Sequence, residues 1–185
     1  RPFDAARDGI SLGEAAGFAL IEKSGARGRE SLALLGYGES ADAHHMSAPH
    51  PEGLGAQLAM RAALERASLE PEDISFVNAH GTATRNNDAV ESHAVAAQFG
   101  RAMPTTSIKG YMGHTLGAAG IVGAVASLLA VERGFIPATV NCRSVDPACE
   151  TPVPLETVRC PVRNVLSNSF GFGGNNASLI FGRAE

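Results

Sequence analysis

Residues 115–131 (TLGAAGIVGAVASLLAV) run for 17 positions without a charge. A chain with such a run must bury it in protein or place it in lipid. A membrane-spanning helix needs about 20 apolar residues, and Glu132 and Arg133 close this one short of that. Its Ala and Gly content suits close packing against other backbone. The spacing predicts a helix over 114–133, apolar on all sides, and so a layer held between two sheets rather than a membrane insertion.

The rest of the composition agrees. Gly is abundant at 21, aromatics are 5% and Trp is absent, so the core is built from small side chains. With 44% hydrophobic and 18% charged residues, the chain is not disordered. A net charge of −4 argues against a nucleic-acid-binding surface. The 185 residues fit one domain, 1–185. Cys142, Cys149 and Cys160 are odd in number and lack a CxxC spacing. That excludes a zinc ribbon and favours a reducing, cytoplasmic setting over a disulfide framework. Arg1 in place of Met, with no signal peptide after it, reads as a cut within a longer protein.

Strands and helices alternate. Segments 17–22 (GFALIE) and 31–37 (SLALLGY) read as a strand pair joined by a polar turn at 23–30. A His-, Pro- and Gly-rich loop covers 41–55. Helices are expected at 56–67 and 87–99, a buried strand at 74–78 and a short strand at 104–107. The segment 142–162 carries four prolines and reads as irregular. Strands at 164–169 and 177–181 close the chain around a glycine turn. The order gives an α/β domain with a helix-covered sheet.

Three segments can carry chemistry. Asn78-Ala79-His80-Gly81-Thr82 lies where a strand ends, the place where α/β folds gather ligands. His80 can there be a proton carrier or a structural corner residue. Lys109-Gly110-Tyr111-Met112-Gly113-His114 leads into the apolar helix. The helix dipole and the lysine would keep His114 neutral and donating; a capping role is the alternative. Ser169-Phe170-Gly171-Phe172-Gly173-Gly174-Asn175-Asn176 can form an oxyanion hole walled by two Phe rings, or a plain glycine hairpin. Asp42, His44, His45 and His50 suggest a metal, but adjacent histidines in extended chain point apart, so no metal is expected. No nucleophile is evident.

In that order these motifs resemble the β-ketoacyl-[acyl-carrier-protein] synthases, condensing enzymes of the thiolase superfamily. Arg1-Pro2-Phe3-Asp4, Gly13-Glu14-Ala15-Ala16-Gly17, Ser40-Ala41-Asp42-Ala43-His44-His45-Met46, Gly113-His114-Thr115-Leu116-Gly117 and Ser167-Asn168-Ser169-Phe170-Gly171-Phe172-Gly173-Gly174 carry the likeness with the His80 segment. It implies the C-terminal half of a two-half, layered thiolase-like fold, a mixed sheet covered by helices. The half with the nucleophilic cysteine is absent.

The resemblance also implies a reaction: decarboxylating Claisen condensation of an acyl thioester with malonyl-acyl carrier protein, in fatty acid or polyketide synthesis. His80 and His114 match the paired histidines, and Lys109 the lysine beside them. The Phe172 N–H matches an oxyanion donor and its ring the acyl-pocket gate. Phe170 and Gly171 stand beside it at the substrate channel. Thr82 and Thr84 match threonines on the phosphopantetheine arm, and Asp88 and Glu91 the acids that support Lys109. Two positions depart. Gly123 stands where the family has a glutamate beside an ion site, and Asn175 replaces a more usual Thr.

No cofactor is expected on the chain itself, the phosphopantetheine arriving on acyl carrier protein. The partners implied are that carrier, with Arg1 at a position of carrier contact, the missing half, and a second subunit in a homo- or heterodimer. An isolated half would be inactive. A non-catalytic subunit that shapes chain length is the alternative; intact His80, Lys109 and His114 favour the enzyme.

Overall fold

The computed structural model describes residues 1–23 and 31–184. A five-stranded mixed sheet organises them. It contains β1 (Leu32–Ala41), β2 (Ile74–Asn78), β3 (Thr105–Thr106), β6 (Asn164–Gly171) and β7 (Asn175–Arg183), in the order β1-β7-β6-β2-β3. A two-stranded ribbon pairs β4 (Phe135–Ile136) with β5 (Val158–Arg159). The helices are α1 (Leu54–Ala67), α2 (Arg85–Phe99), the single turn α3 (Lys109–Met112) and α4 (Ala119–Arg133).

The β6–β7 hairpin is antiparallel, from Val165 opposite Phe181 to Gly171 opposite Asn175. Residues 172–174 are its turn. Gly173 and Gly174 hold φ of +85° and +76° there, a region that L side chains rarely adopt. Central β2 runs parallel to β6 and β3, so its carboxyl end and that of β3 open on the same side. The His80 loop leaves β2 at that end.

Alternation along the strands separates two cores. Val77 and Leu166 join Met60, Ala63 and Leu64 of α1 and Val95 of α2. Phe76 and Val165 join Ala130 and Val131 of α4. α1 approaches the sheet closely because β1 carries glycines facing it. A Cβ on Gly38 would stand 1.9 Å from the Ala59 carbonyl oxygen.

Two expectations are corrected. Residues 17–22 form no strand and do not pair with β1, which bonds to β7 along its length; the expected turn at 24–30 lies outside the described residues. The cause is upstream. His114 donates its N–H to the Ser11 carbonyl (2.7 Å), and the His114 carbonyl accepts from Gly13 (3.0 Å). This steers the chain along α4 instead, where a Cβ on Gly17 would stand 2.8 Å from Ile121. Phe18 is then fully exposed.

The second correction concerns the apolar helix. Leu116, at φ +52°, interrupts it, and a 3₁₀ turn (Leu116–Ala118) precedes α4. Among the described residues α4 rests on one sheet. Gly123, Ser127, Ala130 and Val131 form its buried stripe, whereas Val125 is 49% and Leu129 38% exposed. By length and composition alone, Leu116–Arg133 is apolar enough to cross a membrane. Of its small residues, Gly123, Ser127 and Ala130 face the sheet.

Candidate active site

A cavity of about 730 Å³ opens at the carboxyl end of β2 and at the β6–β7 turn. His80, Thr82, Thr84, His114, Phe170, Gly171 and Phe172 all line it. Residues from three distant stretches of sequence therefore meet in one space, of the size that holds a small-molecule substrate.

The two histidine rings stand edge to face, with centroids 5.2 Å apart, and Phe170 lies 5.8 Å from His80. The His114 Nδ1 accepts the Leu116 N–H at 3.1 Å. Its proton consequently sits on Nε2, which is left to donate. His80 is buried, and its Nδ1 has no partner among the described residues. Burial lowers its pKa well below the ordinary value, and the Lys109 ammonium and His114 add to this. Burial, then Lys109, lowers His114 as well. Both rings are neutral near pH 7. The downward shift expected of His114 has desolvation and then Lys109 as its causes, and α4 begins only at Ala119.

This burial makes the fold sensitive to acid. Unfolded His80 takes up a proton near its ordinary pKa of 6.5, and the folded residue resists it. Below that pH the unfolded chain binds more protons, so stability falls as pH drops. Denaturant midpoints of the protein should decline between about pH 6.5 and 5. His80→Asn should flatten part of that slope; an unchanged slope would mean that other groups set it.

Lys109 sits on α3, and its Nζ donates to the His80 carbonyl. Burial lowers its pKa to about 8, against the pull of Glu91 and Asp88. These acids lie three residues apart, on one face of the first turns of α2. Glu91 accepts the N–H groups of His80 and Gly81, both at 2.8 Å, and the Asn168 side chain at 3.1 Å. Asp88 accepts from Phe3 (2.8 Å) and Ala83 (3.2 Å) and lies 3.5 Å from the Arg7 Nε. They act on Lys109 through space; their oxygens hold the loop that carries His80. Burial raises the pKa of both.

The Thr82 and Thr84 hydroxyls are 3.0 Å apart. In the β6–β7 turn, Gly173 donates to the Met46 carbonyl (2.7 Å) and Gly174 to Gly171 (3.2 Å). The Asn175 side chain donates to the Phe172 carbonyl (3.3 Å). No described group accepts the Phe172 N–H, and the Phe172 ring is 78% exposed.

Sequence reasoning missed what holds this turn. Asp42 donates its N–H to the Gly174 carbonyl (2.8 Å). Its carboxylate accepts from the Asn176 side chain (2.8 Å) and the His50 N–H (3.0 Å). The residue considered as a metal ligand is thus a strut between the 42–50 loop and the turn. Among the described residues no three His, Cys, Asp or Glu side chains gather as metal ligands. Arg7 was also missed. It is buried, bonds Asp146, and donates to the carbonyls of Thr84 (3.3 Å) and Arg85 (2.9 Å). Arg7 stands in the Arg7-Asp8-Gly9 segment that shares the family likeness, but its Thr84, Arg85 and Asp146 partners lie 77 or more residues away and local sequence does not name them. Burial raises Cys142 to about 11 and Cys149 to about 12, so neither is an activated thiolate.

A family model for the β-ketoacyl synthase C-terminal domain matches residues 32–143. The chain belongs to the β-ketoacyl synthase family. The synthase domain is 45% identical to the mitochondrial 3-oxoacyl-[acyl-carrier-protein] synthase of Arabidopsis thaliana, over 98% of this chain and 42% of that protein. Its fold superimposes on the ishigamide ketosynthase/chain length factor with a TM-score of 0.92 at 44% identity, over all of this chain and 47% of that one. A third match, at TM-score 0.92 and 28% identity, is a type II polyketide synthase acyl-carrier protein in complex with its ketosynthase; it too covers all of this chain and 47% of that one. The chain spans less than half the length of each. Its mixed sheet with flanking helices is that of the C-terminal half of ketosynthases.

Proposed function

We propose that this chain supplies the decarboxylation and oxyanion machinery of a condensing enzyme. The observation that carries this is the pair of neutral imidazoles, 5.2 Å apart, in one cavity with two threonine hydroxyls and the free Phe172 N–H. An acyl group is held as a thioester on a cysteine of the complementary half. Malonyl on acyl carrier protein enters, its phosphopantetheine arm beside Thr82 and Thr84. The bond to the carboxylate breaks, carbon dioxide leaves, and the electron pair becomes an enolate. The His114 Nε2–H and the His80 ring hydrogen-bond the enolate oxygen. The enolate carbon attacks the acyl carbonyl. The Phe172 N–H donates to the tetrahedral oxyanion, which collapses and expels the cysteine thiolate. Lys109 adds to the burial that keeps both imidazoles unprotonated and ties down the His80 backbone.

The open faces fit this reading. Phe18, Leu20 and Ile21 and the outer side of α4 are apolar and exposed, as expected of surfaces that the other half covers. Acyl carrier protein and a paired synthase subunit are the further partners; the third relative is a complex of the first kind.

A non-catalytic, chain-length-setting subunit is the second reading, favoured by the likeness to the ishigamide ketosynthase/chain length factor. One assay separates them. The chain, assembled with a complementary half that bears the cysteine, is given acyl thioester and malonyl-carrier protein. Release of carbon dioxide with a 3-oxoacyl product is expected. Failure in a correctly assembled pair would remove the catalytic reading. In that assay Phe172→Ala should change the preference between short and long acyl chains by about 10-fold. It should leave stability unchanged, because the ring packs on little. An unaltered profile would remove the gate role.

A further inference from the structure

The carbonyl oxygen of the Asn78 side chain has no hydrogen-bond partner among the described residues, although Asn78 is only 3% exposed. Its amide nitrogen fixes the orientation. It donates to the Gly123 carbonyl and the Ser167 hydroxyl, both at 3.3 Å, with the Ser127 hydroxyl at 3.5 Å. A buried, unpaired carbonyl oxygen costs about 1–3 kcal/mol, so a missing partner is implied. Asn78 lines a small cavity of about 10 Å³ between β2, β6 and α4, together with Lys109, Thr115, Gly123, Ser167 and Asn168. That volume is one water probe.

The family resemblance puts a glutamate at position 123 and an ion beside it. The residues present do not fit a cation. No Asp or Glu lines the cavity, and its one charge is the Lys109 ammonium. Both oxygens of nearby Glu91 are engaged by backbone N–H groups. A cation would lose its hydration with no counter-charge and with a positive neighbour.

We propose that this cavity holds one water molecule in place of a monovalent cation, and that Gly123 is the residue that decides it. The water donates to the Asn78 carbonyl oxygen and accepts from the Lys109 ammonium, which has donors beyond the one given to His80. It thereby joins the lysine beneath the catalytic pair to α4 without any carboxylate.

Two measurements on the purified chain test this. Thermal unfolding in potassium, ammonium, sodium and choline chlorides at equal ionic strength should give midpoints within about 1 °C. A rise specific to potassium or ammonium would overturn the proposal, since a ligand of the folded state stabilises it. Gly123→Glu should acquire such a rise; if that variant does not fold, Gly123→Asp replaces it. A folded acidic variant that stays indifferent would show that position 123 is not the determinant. Crystals soaked in rubidium chloride should show one water and no anomalous peak in the cavity. A rubidium peak there, or an empty cavity, would reject it. None of these readouts requires condensing activity, so they stand or fall apart from the proposed reaction.

Discussion

Replacing His80 or His114 by Ala in the assembled synthase should lower malonyl decarboxylation by about 10²- to 10³-fold, the usual loss when one donor to a developing oxyanion is removed. The two sites should differ in what else they lose. His114 is half-buried, so His114→Ala should leave the fold intact and remove only the Nε2–H donor. His80 is buried beneath the cavity, and His80→Ala should also cost some stability. Carbon dioxide release from malonyl-carrier protein is the readout, with unfolding curves beside it. Wild-type rates in both variants would end the assignment of this pair.

Glu91→Ala should be the most destabilising single change near the site. The carboxylate is fully buried and is the acceptor for three N–H donors, those of His80, Gly81 and the Asn168 side chain. Truncation strands all three, at about 1–3 kcal/mol for each buried group left unpaired. It also removes the negative charge that opposes desolvation of Lys109. A loss of about 3–5 kcal/mol in denaturant unfolding is expected, with Glu91→Gln intermediate because the amide keeps one acceptor oxygen. A shift below about 1 kcal/mol for Glu91→Ala would mean that the His80 loop is held by something else. Activity should fall with stability here, since the loop that places His80 is what Glu91 fixes.

Much of the element order was legible from local pattern. The buried strand β2 coincides with 74–78, and the glycine turn falls between β6 and β7, because a run such as ISFVN and a doubled glycine are local signals. Helices α1 and α2 begin two residues earlier than their apolar spacing suggests, a frequent uncertainty at helix ends. The pair 17–22 and 31–37 was misleading for a different reason. Alternating apolar residues mark a strand but do not name its partner. For β1 the partner lies in β7, far along the chain, with Leu32 opposite Arg183 and Ala41 opposite Asn175.

The helix before Arg133 shows the same limit of local reasoning. Its apolarity was plain, yet which side faces the sheet is set by Gly123 and Ser127, whose small side chains let β6 come close. Asp42 and Arg7 were opaque for an electrostatic reason. Their roles depend on hydrogen-bonding groups that the fold, not the sequence, brings within reach.

The sequence by itself determined the residue types and their order: two histidines, a lysine, two threonines and a glycine turn, each at the end of a strand or helix. It also determined which thiols were present, and that none has a histidine close by in sequence. The tertiary structure decided that the histidines, the threonines and the glycine turn share one cavity with Lys109 bonded to the His80 backbone behind it, that desolvation and Lys109 keep both imidazoles neutral, and that Glu91 directs its oxygens to the His80 loop rather than to the lysine. Those outcomes depend on distance and burial. Both are properties of contacts between residues far apart in the chain, and no local spacing encodes them.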